Sequence, residues 1–375
     1  MNRILAIARI ELLRLLRSRA TFTLLLLVPA MQVLLFGYAI RPTPAHITIA
    51  VAAPTPADAQ RMTTSLAQVA GLVIMPEQRG PGTAEAAVRE GRALIGIEVP
   101  ELRSLIGDEV PALRAGASPT QAQSPLRIVV DATNAGLTRA AVAEIESMYW
   151  RSLAEQGGVA ALSPGLRVER LFNSESRADW TFLPALIGVT VMIAMVMLGS
   201  LGVARERETG TWEALLALPI SPIEVLVGKM LPYVVIGTAQ GVLVLGAGIG
   251  LFDLPARGTV GALIALLPLF AAAHLALGHA ISARARTQVA ALQGAVAFYL
   301  PSMLLSGFLY PFEALPDWAR RVGSVFPLTH FIRAAREALL RGSGAAPVLA
   351  HGVPIAAFLV LAVAVTLLAS SREPD

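Results

Sequence analysis

The sequence predicts a polytopic α-helical membrane protein: six transmembrane helices, with an α/β extracytoplasmic domain inserted between helices 1 and 2. Three observations predict it. The chain of 375 residues is 55% hydrophobic and only 15% charged, where a soluble domain carries about 25% charged residues. The apolar residues gather in six runs, each near the roughly 20 residues that a bilayer crossing needs. Between the first two runs, residues 42–179 return to an ordinary globular composition, rich in Pro, Gly, Asp and Glu. Cysteine is absent, which excludes disulfides and thiolate metal sites. The net charge of +4 comes almost wholly from arginine. In a chain this apolar, such charge orients the protein against anionic lipid, and nucleic acid is not expected as a partner.

Residues 1–19 (MNRILAIARIELLRLLRSR) predict an amphipathic helix lying in the cytoplasmic interface. At 3.6 residues per turn, Arg3, Glu11, Arg14 and Arg17 fall on one side, and Ile4, Leu5, Leu12 and Leu16 on the other. Span one follows at 20–41. Its apolar stretch is longer than the 7–15 residues of a signal-peptide core, and no clear A-x-A site follows it, so it is expected to be retained.

Residues 42–179 contain β-type runs at 46–53, 71–76, 93–100, 126–132 and 166–172. Helical patterns separate them at 57–70, 83–90 and 138–156, the alternation of a compact α/β module. Residues 116–125 (GASPTQAQSP) predict a flexible loop. No catalytic constellation stands out. Asp131, Asn134 and Glu144 invite an acid–base story, but 131–134 (DATN) fits a strand exit and helix entry better. His46 is the module's only histidine, which argues against a histidine metal site.

The remaining spans are expected at 180–203, 222–252, 258–283, 287–310 and 347–370. Arginine sets the orientation. Arg3, Arg9, Arg14, Arg17 and Arg19 precede span one, and Arg205, Arg207 and Lys229 join spans two and three. Arg284 and Arg286 join spans four and five, and Arg372 follows span six. With six crossings all of these lie on one side, which places both termini in the cytoplasm. One connection dissents: Arg320, Arg321, Arg333, Arg336 and Arg341 fall outside, where arginines are tolerated if a structured element holds them.

The stretch RERETGTWEALLALPISPIEVLVGK, residues 205–229, is the densest charge in the second half of the chain. Thr209, Gly210 and Thr211 are suited to ending one helix and starting another. Trp212, Leu215, Leu216 and Leu218 are suited to anchoring a short element in the interface. That arrangement would leave Arg205, Glu206, Arg207, Glu208 and Glu213 accessible from the cytoplasm. Ser221-Pro222-Ile223-Glu224 matches a capping box with proline at the first helical position, so span three starts sharply there. Physical chemistry alone leaves two readings of 204–221: a docking shelf for a cytoplasmic partner, or a solvated loop that orients the protein.

A resemblance separates them. The pattern of 205–229 resembles the corresponding segment of ABC-2 type export permeases that carry a large domain between spans one and two. Residues 281–318 (ISARARTQVAALQGAVAFYLPSMLLSGFLYPFEALPDW) and 326–342 (FPLTHFIRAAREALLRG) resemble the same family. So do GIEVP at 96–100 and VVDATNAGLTRAAVAEIESMYW at 129–150, so the likeness runs in order along nearly the whole chain. The resemblance implies that the N-terminal helix and the 204–221 coupling segment contact separate cytoplasmic ATPase subunits. Arg205, Glu206, Arg207, Glu208, Gly210, Thr211 and Glu213 would form that coupling surface. It also implies that 311–346 forms re-entrant helices at the outer end. A second permease chain, identical or similar, would complete the pathway. ATP and Mg would be bound by the partner subunit, with no cofactor in this chain. The sequence agrees on one point of its own: it contains no G-x-x-x-x-G-K-[ST] phosphate loop, and Gly342-Ser343-Gly344 lacks the lysine.

Polar residues inside spans are costly unless satisfied, which makes Gln240, His274 and Gln293 candidates for lining a pathway, against the alternative of bonds between helices. His274 and His279 are five apart and so on different helix faces. Gly237 and Gly241 form a GxxxG pair that permits close helix contact. Pro268 and Pro301 predict kinks within spans. Glu313 and Asp317 lie beyond span five, where they face the outer mouth or cap the short helices there. The reading is therefore the membrane subunit of an ATP-driven exporter in a bacterial inner membrane, with lipid around it and a periplasmic adaptor as a further candidate partner. No catalytic residue is assigned. The alternative is a membrane-anchored extracytoplasmic binding or scaffold protein, for which the spans and the charged stretch would be excess.

Overall fold

The computed structural model describes residues 2–17, 47–67, 72–75, 78–80, 82–99, 126–155, 166–173, 177–210, 221–285, 287–309, 312 and 315–370. Span one at 20–41, the loop at 116–125, and Thr211, Trp212 and Glu213 lie outside the described residues. The chain divides into two compact units, one spanning 41–178 with 313–315, the other taking in 1–40, 179–312 and 316–375. The chain opens with helix α1 (Asn2–Arg17), which belongs to the second unit.

The first unit is a mixed sheet with helices. Its elements are β1 (Ile47–Ala53), α2 (Pro56–Leu66), β2 (Leu72–Ile74), β3 (Gln78–Arg79), α3 (Thr83–Arg89), β4 (Ile95–Glu98), β5 (Leu126–Asp131), α4 (Ala135–Glu155) and β6 (Leu166–Leu171). The strand order is β2-β1-β4-β5-β6, with β3 continuing the β2 edge of β1. All pairings are parallel except β4 with β5. Five of the strands occupy runs that the sequence marks as β-type, because β-branched residues there sit between helical patterns. The two-residue β3 had no such signal.

Both faces are covered, which explains why the strands read as apolar runs without clean alternation. Ile47, Ile49, Val51, Ile95, Ile97, Ile128 and Val130 share one core with Leu66 of α2 and Val142 and Ile145 of α4. Ala50, Ala52 and Val129 face the other way, against Ala84, Ala87 and Val88 of α3. The residues on that side are small because α3 lies close. A Cβ on Gly96 would stand 2.7 Å from the Ala84 carbonyl oxygen. At the end of β5, Asp131 Oδ1 accepts from Thr133 N–H at 2.9 Å and Thr133 Oγ1 at 2.6 Å, so 131–134 turns the strand into α4.

The second unit contains α5 (Ala178–Glu208), α6 (Pro222–Phe252), α7 (Val260–Arg284), α8 (Gln288–Leu305), α9 (Asp317–Gly323) and α10 (Pro327–Arg336). A π-helical turn at Glu337–Arg341, α11 (Ala345–Ala350) and α12 (Gly352–Ser370) complete it. Among the described residues, five helical stretches are long and apolar enough to cross a membrane: Asp179–Glu206, Pro222–Phe252, Val260–Arg284, Gln288–Leu305 and Ala345–Ala369. The most apolar stretch of α5 is mostly buried by the rest of the chain, whereas α8 and α12 expose most of theirs. Helix α5 is therefore the central one.

Helices α5 and α7 meet backbone to backbone. A Cβ on Gly199 would lie 2.5 Å from the Leu275 carbonyl oxygen, and one on Gly278 would lie 2.6 Å from that of Val196. A turn further on, Ser282 Oγ of α7 accepts from the α5 backbone N–H groups of Val203 (3.0 Å) and Ala204 (2.8 Å). The GxxxG glycines instead make room for side chains, Gly237 for Met195 of α5 and Gly241 for Leu267 of α7.

Helix α10 is buried inside this bundle. Phe331 stacks on Phe270 of α7 at 4.4 Å between ring centres, and Leu328 and Phe331 occupy the space that Gly188 of α5 leaves open. Two of the arginines that dissent from the charge rule are held by structure. Arg336 Nη2 donates to the Gly307 carbonyl at 3.0 Å, and Arg333 lies 4.4 Å over the Phe312 ring.

Helix α1 corrects one expectation. Its buried face takes Ala8 and Glu11, and Ile4 and Ile7 pack there against Gly228 of α6. Tyr233 of α6 donates to Glu11 Oε2 at 3.3 Å. Glu11 therefore does not share the solvated side with the arginines; a hydroxyl on the neighbouring helix draws it inward. Leu5 and Leu12, on the expected apolar side, remain exposed. The docked face runs along the border between the two predicted sides.

Candidate functional site

The charged stretch after the second span begins inside α5, not beyond it. The helix continues through Arg205, Glu206, Arg207 and Glu208, five residues past the expected end at 203. It stops where Gly210 adopts a left-handed φ of 70°, a conformation that costs glycine least. Helix α6 then starts at the predicted capping box: Ser221 Oγ accepts from Glu224 N–H at 3.3 Å, and Glu224 Oε2 accepts from Ser221 N–H at 2.9 Å. The segment between these fixed ends is bounded by a glycine stop and a capped start.

Glu206 is not accessible, contrary to expectation. It is 5% exposed and forms an ion pair with Lys229 of α6, itself 4% exposed. The reason is periodicity. Once α5 continues to 208, Glu206 lies a little over one turn beyond Gly202 and points into the bundle, where Lys229 reaches it. Glu208 is exposed but also tied. Its Oε1 accepts from the backbone N–H of Gln288 at 2.7 Å, and its Oε2 accepts from the Gln288 side-chain amide. The backbone N–H of Gln288, and then its amide, hold the Glu208 carboxyl below the usual carboxylate range. Glu208 thus occupies the N-terminus of α8, where the helix dipole favours negative charge. Thr287 completes that cap, its Oγ1 accepting from Ala290 N–H at 3.1 Å.

Two glutamates on opposite sides of the last turn of α5 therefore join it to two further helices, Glu206 to α6 and Glu208 to α8. Ser282 joins it to α7 just above. Arg205, Thr209 and Gly210 remain exposed. The side chain of Arg207 is not among those described, and Thr211 and Glu213 fall outside the described residues. At the opposite end of α5, Trp180 Nε1 donates to the Phe252 carbonyl at the end of α6, at 3.1 Å. Helices α5 and α6 are thus antiparallel and bonded near both ends.

The three candidate pathway residues lie in different surroundings. Gln240 is buried on the α6 face that carries Gly237 and Gly241. His274 is fully buried among aromatic rings, 4.4 Å from Phe270 and 6.4 Å from Phe298. Its Nδ1 lies 3.0 Å from the Phe270 carbonyl oxygen, and because a carbonyl only accepts, that nitrogen carries the proton. His279 repeats the arrangement with the Leu275 carbonyl at 2.8 Å. Gln293 is exposed on α8.

Sequence reasoning counted Lys229 among the charges of the connection between spans two and three, whereas it lies buried inside α6; Ser282 and Gln288 were not singled out at all. For Lys229 a signal existed. It is the chain's single lysine beside 29 arginines, and it stands two turns inside an apolar span. For Ser282 and Gln288 there was none, because their roles depend on which helices touch.

Comparison with known proteins gives a consistent result. The model of a family described as "ABC-2 family transporter protein" matches residues 20–371. The chain is 26% identical over 344 residues to a probable multidrug ABC transporter permease, YbhR, of Escherichia coli K12, covering 91% of this chain and 90% of the relative. It is 26% identical over 259 residues to a second such permease, YbhS, of the same organism, covering 68% and 69%. It is also 20% identical over 341 residues to ABC transporter G family member 20 of Dictyostelium discoideum, covering 90% of this chain but 46% of that longer protein.

Proposed function

Because this chain belongs to the ABC-2 family of transporter proteins and is the membrane subunit of an ABC exporter, we propose that residues 204–221 form the surface on which a separate ATPase subunit acts. The observation that carries the reading is the set of ties at the end of α5. The helix that leads into this segment is bonded to α6 through Glu206 and to α8 through Glu208, while α6 leaves the segment from a rigid cap. A displacement applied between Gly210 and Ser221 thereby enters three membrane helices at once.

In this reading the coupling groups are Arg205, Arg207, Gly210, Thr211 and Glu213, together with the outer side of Glu208. Glu206 acts from within. The chain itself supplies no phosphate loop, so hydrolysis of ATP, with its Mg, belongs to the partner. With span one at 20–41 as a sixth crossing, both termini and the 204–221 segment would lie in the cytoplasm and the sheet unit outside. The arginine distribution supports that orientation. The likeness to an inner membrane transport permease of Escherichia coli, 31% identical over 163 residues that cover 43% of this chain, supports an inner-membrane location. Helix α1, with Leu5 and Leu12 exposed on one flank and Arg3 on the other, fits the lipid interface. Two permease chains would enclose the pathway, and the exposed apolar faces of α8 and α12 are available to lipid and to such a second chain. Gln240, His274 and Gln293 are proposed to face or support that pathway, and a periplasmic adaptor remains a candidate partner.

Charge reversal at Glu213 together with Arg205 tests the coupling surface. The variant is expected to insert normally and to lose co-purification with the ATPase subunit, or its ATPase stimulation, by at least tenfold. Normal assembly and normal stimulation would refute the assignment.

A further inference from the structure

We propose that the buried Glu206–Lys229 ion pair is a positioning element of the transport cycle, which makes α5 and α6 move as one body when the segment between them is displaced. The proposal rests on the coupling reading above and goes beyond it, because neither residue need touch the ATPase subunit.

A buried ion pair is an uneconomical way to hold two helices together. Desolvation offsets most of the attraction, and well-packed apolar residues of similar size often serve stability as well or better. What the pair supplies is direction. Lys229 finds its counter-charge only when α5 and α6 stand in one rotation and one register, whereas apolar side chains tolerate sliding. The position is also telling. Glu206 and Lys229 stand on either side of the connecting segment, four residues before Gly210 and eight after Ser221, and so close a loop around it. The second tie, from Trp180 to the Phe252 carbonyl, lies 26 residues away along α5 and 23 along α6. Two helices bonded at both ends neither slide nor splay, so the load passes along their full length.

The neighbourhood extends the unit. Gly228, adjacent to Lys229, packs on Ile4 and Ile7 of α1, and Tyr233, one turn on, donates to Glu11. Helix α1 is therefore bonded to the same turn of α6 that holds the pair. Glu208, two residues past Glu206, carries α8. The pair sits where α1, α5, α6 and α8 join, and the geometry assigns it the transfer of motion from the segment into the bundle.

The test uses the exporter purified with its ATPase subunit and trapped with ATP and vanadate, read by hydrogen–deuterium exchange along the permease. In the unaltered protein, trapping is expected to change exchange both in peptides covering 205–221 and in peptides covering 327–345. In Glu206→Gln, and in the doubly apolar variant Glu206→Leu with Lys229→Met, the local change at 205–221 should persist. The change at 327–345 should fall at least fivefold, with ATP hydrolysis kept within twofold. The exchanged pair, Glu206→Lys with Lys229→Glu, should recover at least half of the distant change. The doubly apolar variant decides the matter if the single substitution fails to assemble, since it leaves no buried charge unpaired. A full-sized change at 327–345 in that variant would overturn the proposal and leave the coupling surface standing. Absence of any change at 205–221 in the unaltered exporter would refute the coupling surface itself, and the proposal with it.

Discussion

At the scale of single residues, contact between α5 and α7 depends on the absence of side chains. Gly199 and Gly278 leave no room for a Cβ, which would come within 2.5–2.6 Å of a backbone carbonyl oxygen. Gly278→Val is expected to cost about 1–3 kcal/mol by forcing the helices apart, an overpacking effect. The loss would appear as a lowered midpoint of thermal unfolding in detergent. Ser282→Ala removes the oxygen that accepts from Val203 and Ala204 N–H. The expected loss is about 1 kcal/mol, larger if either N–H is left without another acceptor. These residues also mark how far sequence could go. Glycine spacing in α6 was visible as GxxxG, but Gly199 and Gly278 lie on separate helices, and no local pattern pairs them. Glu206 was misread for a related reason. Charge beside a span is normally solvated, and only the extra turn of α5 and the matching lysine 23 residues on bring it inside.

At the scale of elements, start and stop signals were well encoded. The capping box at Ser221–Glu224 and the Asp131–Thr133 turn were legible because each depends on residues three or fewer apart. Ser221→Ala is expected to cost about 1 kcal/mol of stability. Its sharper readout is faster hydrogen exchange confined to the first turn of α6. In the sheet, Arg127 of β5 joins three strands and a helix. It pairs with Glu85 of α3 at 2.7 Å, with Glu98 opposite it on β4 at 3.3 Å, and with Glu169 on β6. Hydrogen bonding to Arg89, with Arg127 adding to it, holds the Glu85 carboxyl below the ordinary range, and Arg127 does the same for Glu169. Their ionised forms are therefore favoured in the folded state. The stability they add is complete above the unfolded value of about 4.3 and is lost as pH falls through the lowered native values. Circular dichroism of the 41–178 unit during acid titration should show this loss, and Arg127→Met should flatten it. No spacing in the sequence pairs residues as distant as 85, 127 and 169, so this network waited on strand register.

At the scale of the whole molecule, composition sufficed for the class. Among the described residues, the five apolar helices and the α/β unit follow from where hydrophobic residues gather and where they give way. The packing of α10 within the bundle did not follow, since a ten-residue amphipathic helix reads equally well as a surface element. Two whole-molecule outcomes are expected. Residues 41–178, with their own core, should fold when produced alone, giving a cooperative thermal transition by circular dichroism; a transition without cooperativity would count against an autonomous unit. The full chain purified alone should hydrolyse ATP no faster than background, and activity should appear only with its ATPase subunit. The bare crossing of α5 and α7 has a mechanical consequence. Because α6 is tied to α5 at both ends, the two helices turn together about the closest contact of α5 with α7, and Gly199 lies about 14 Å from Glu208 but about 30 Å from Asp179, at about 1.5 Å per residue. Nudging the short arm by 1 Å would swing the long arm about 2 Å the opposite way: a seesaw with unequal sides, which converts a small push into a wider gap.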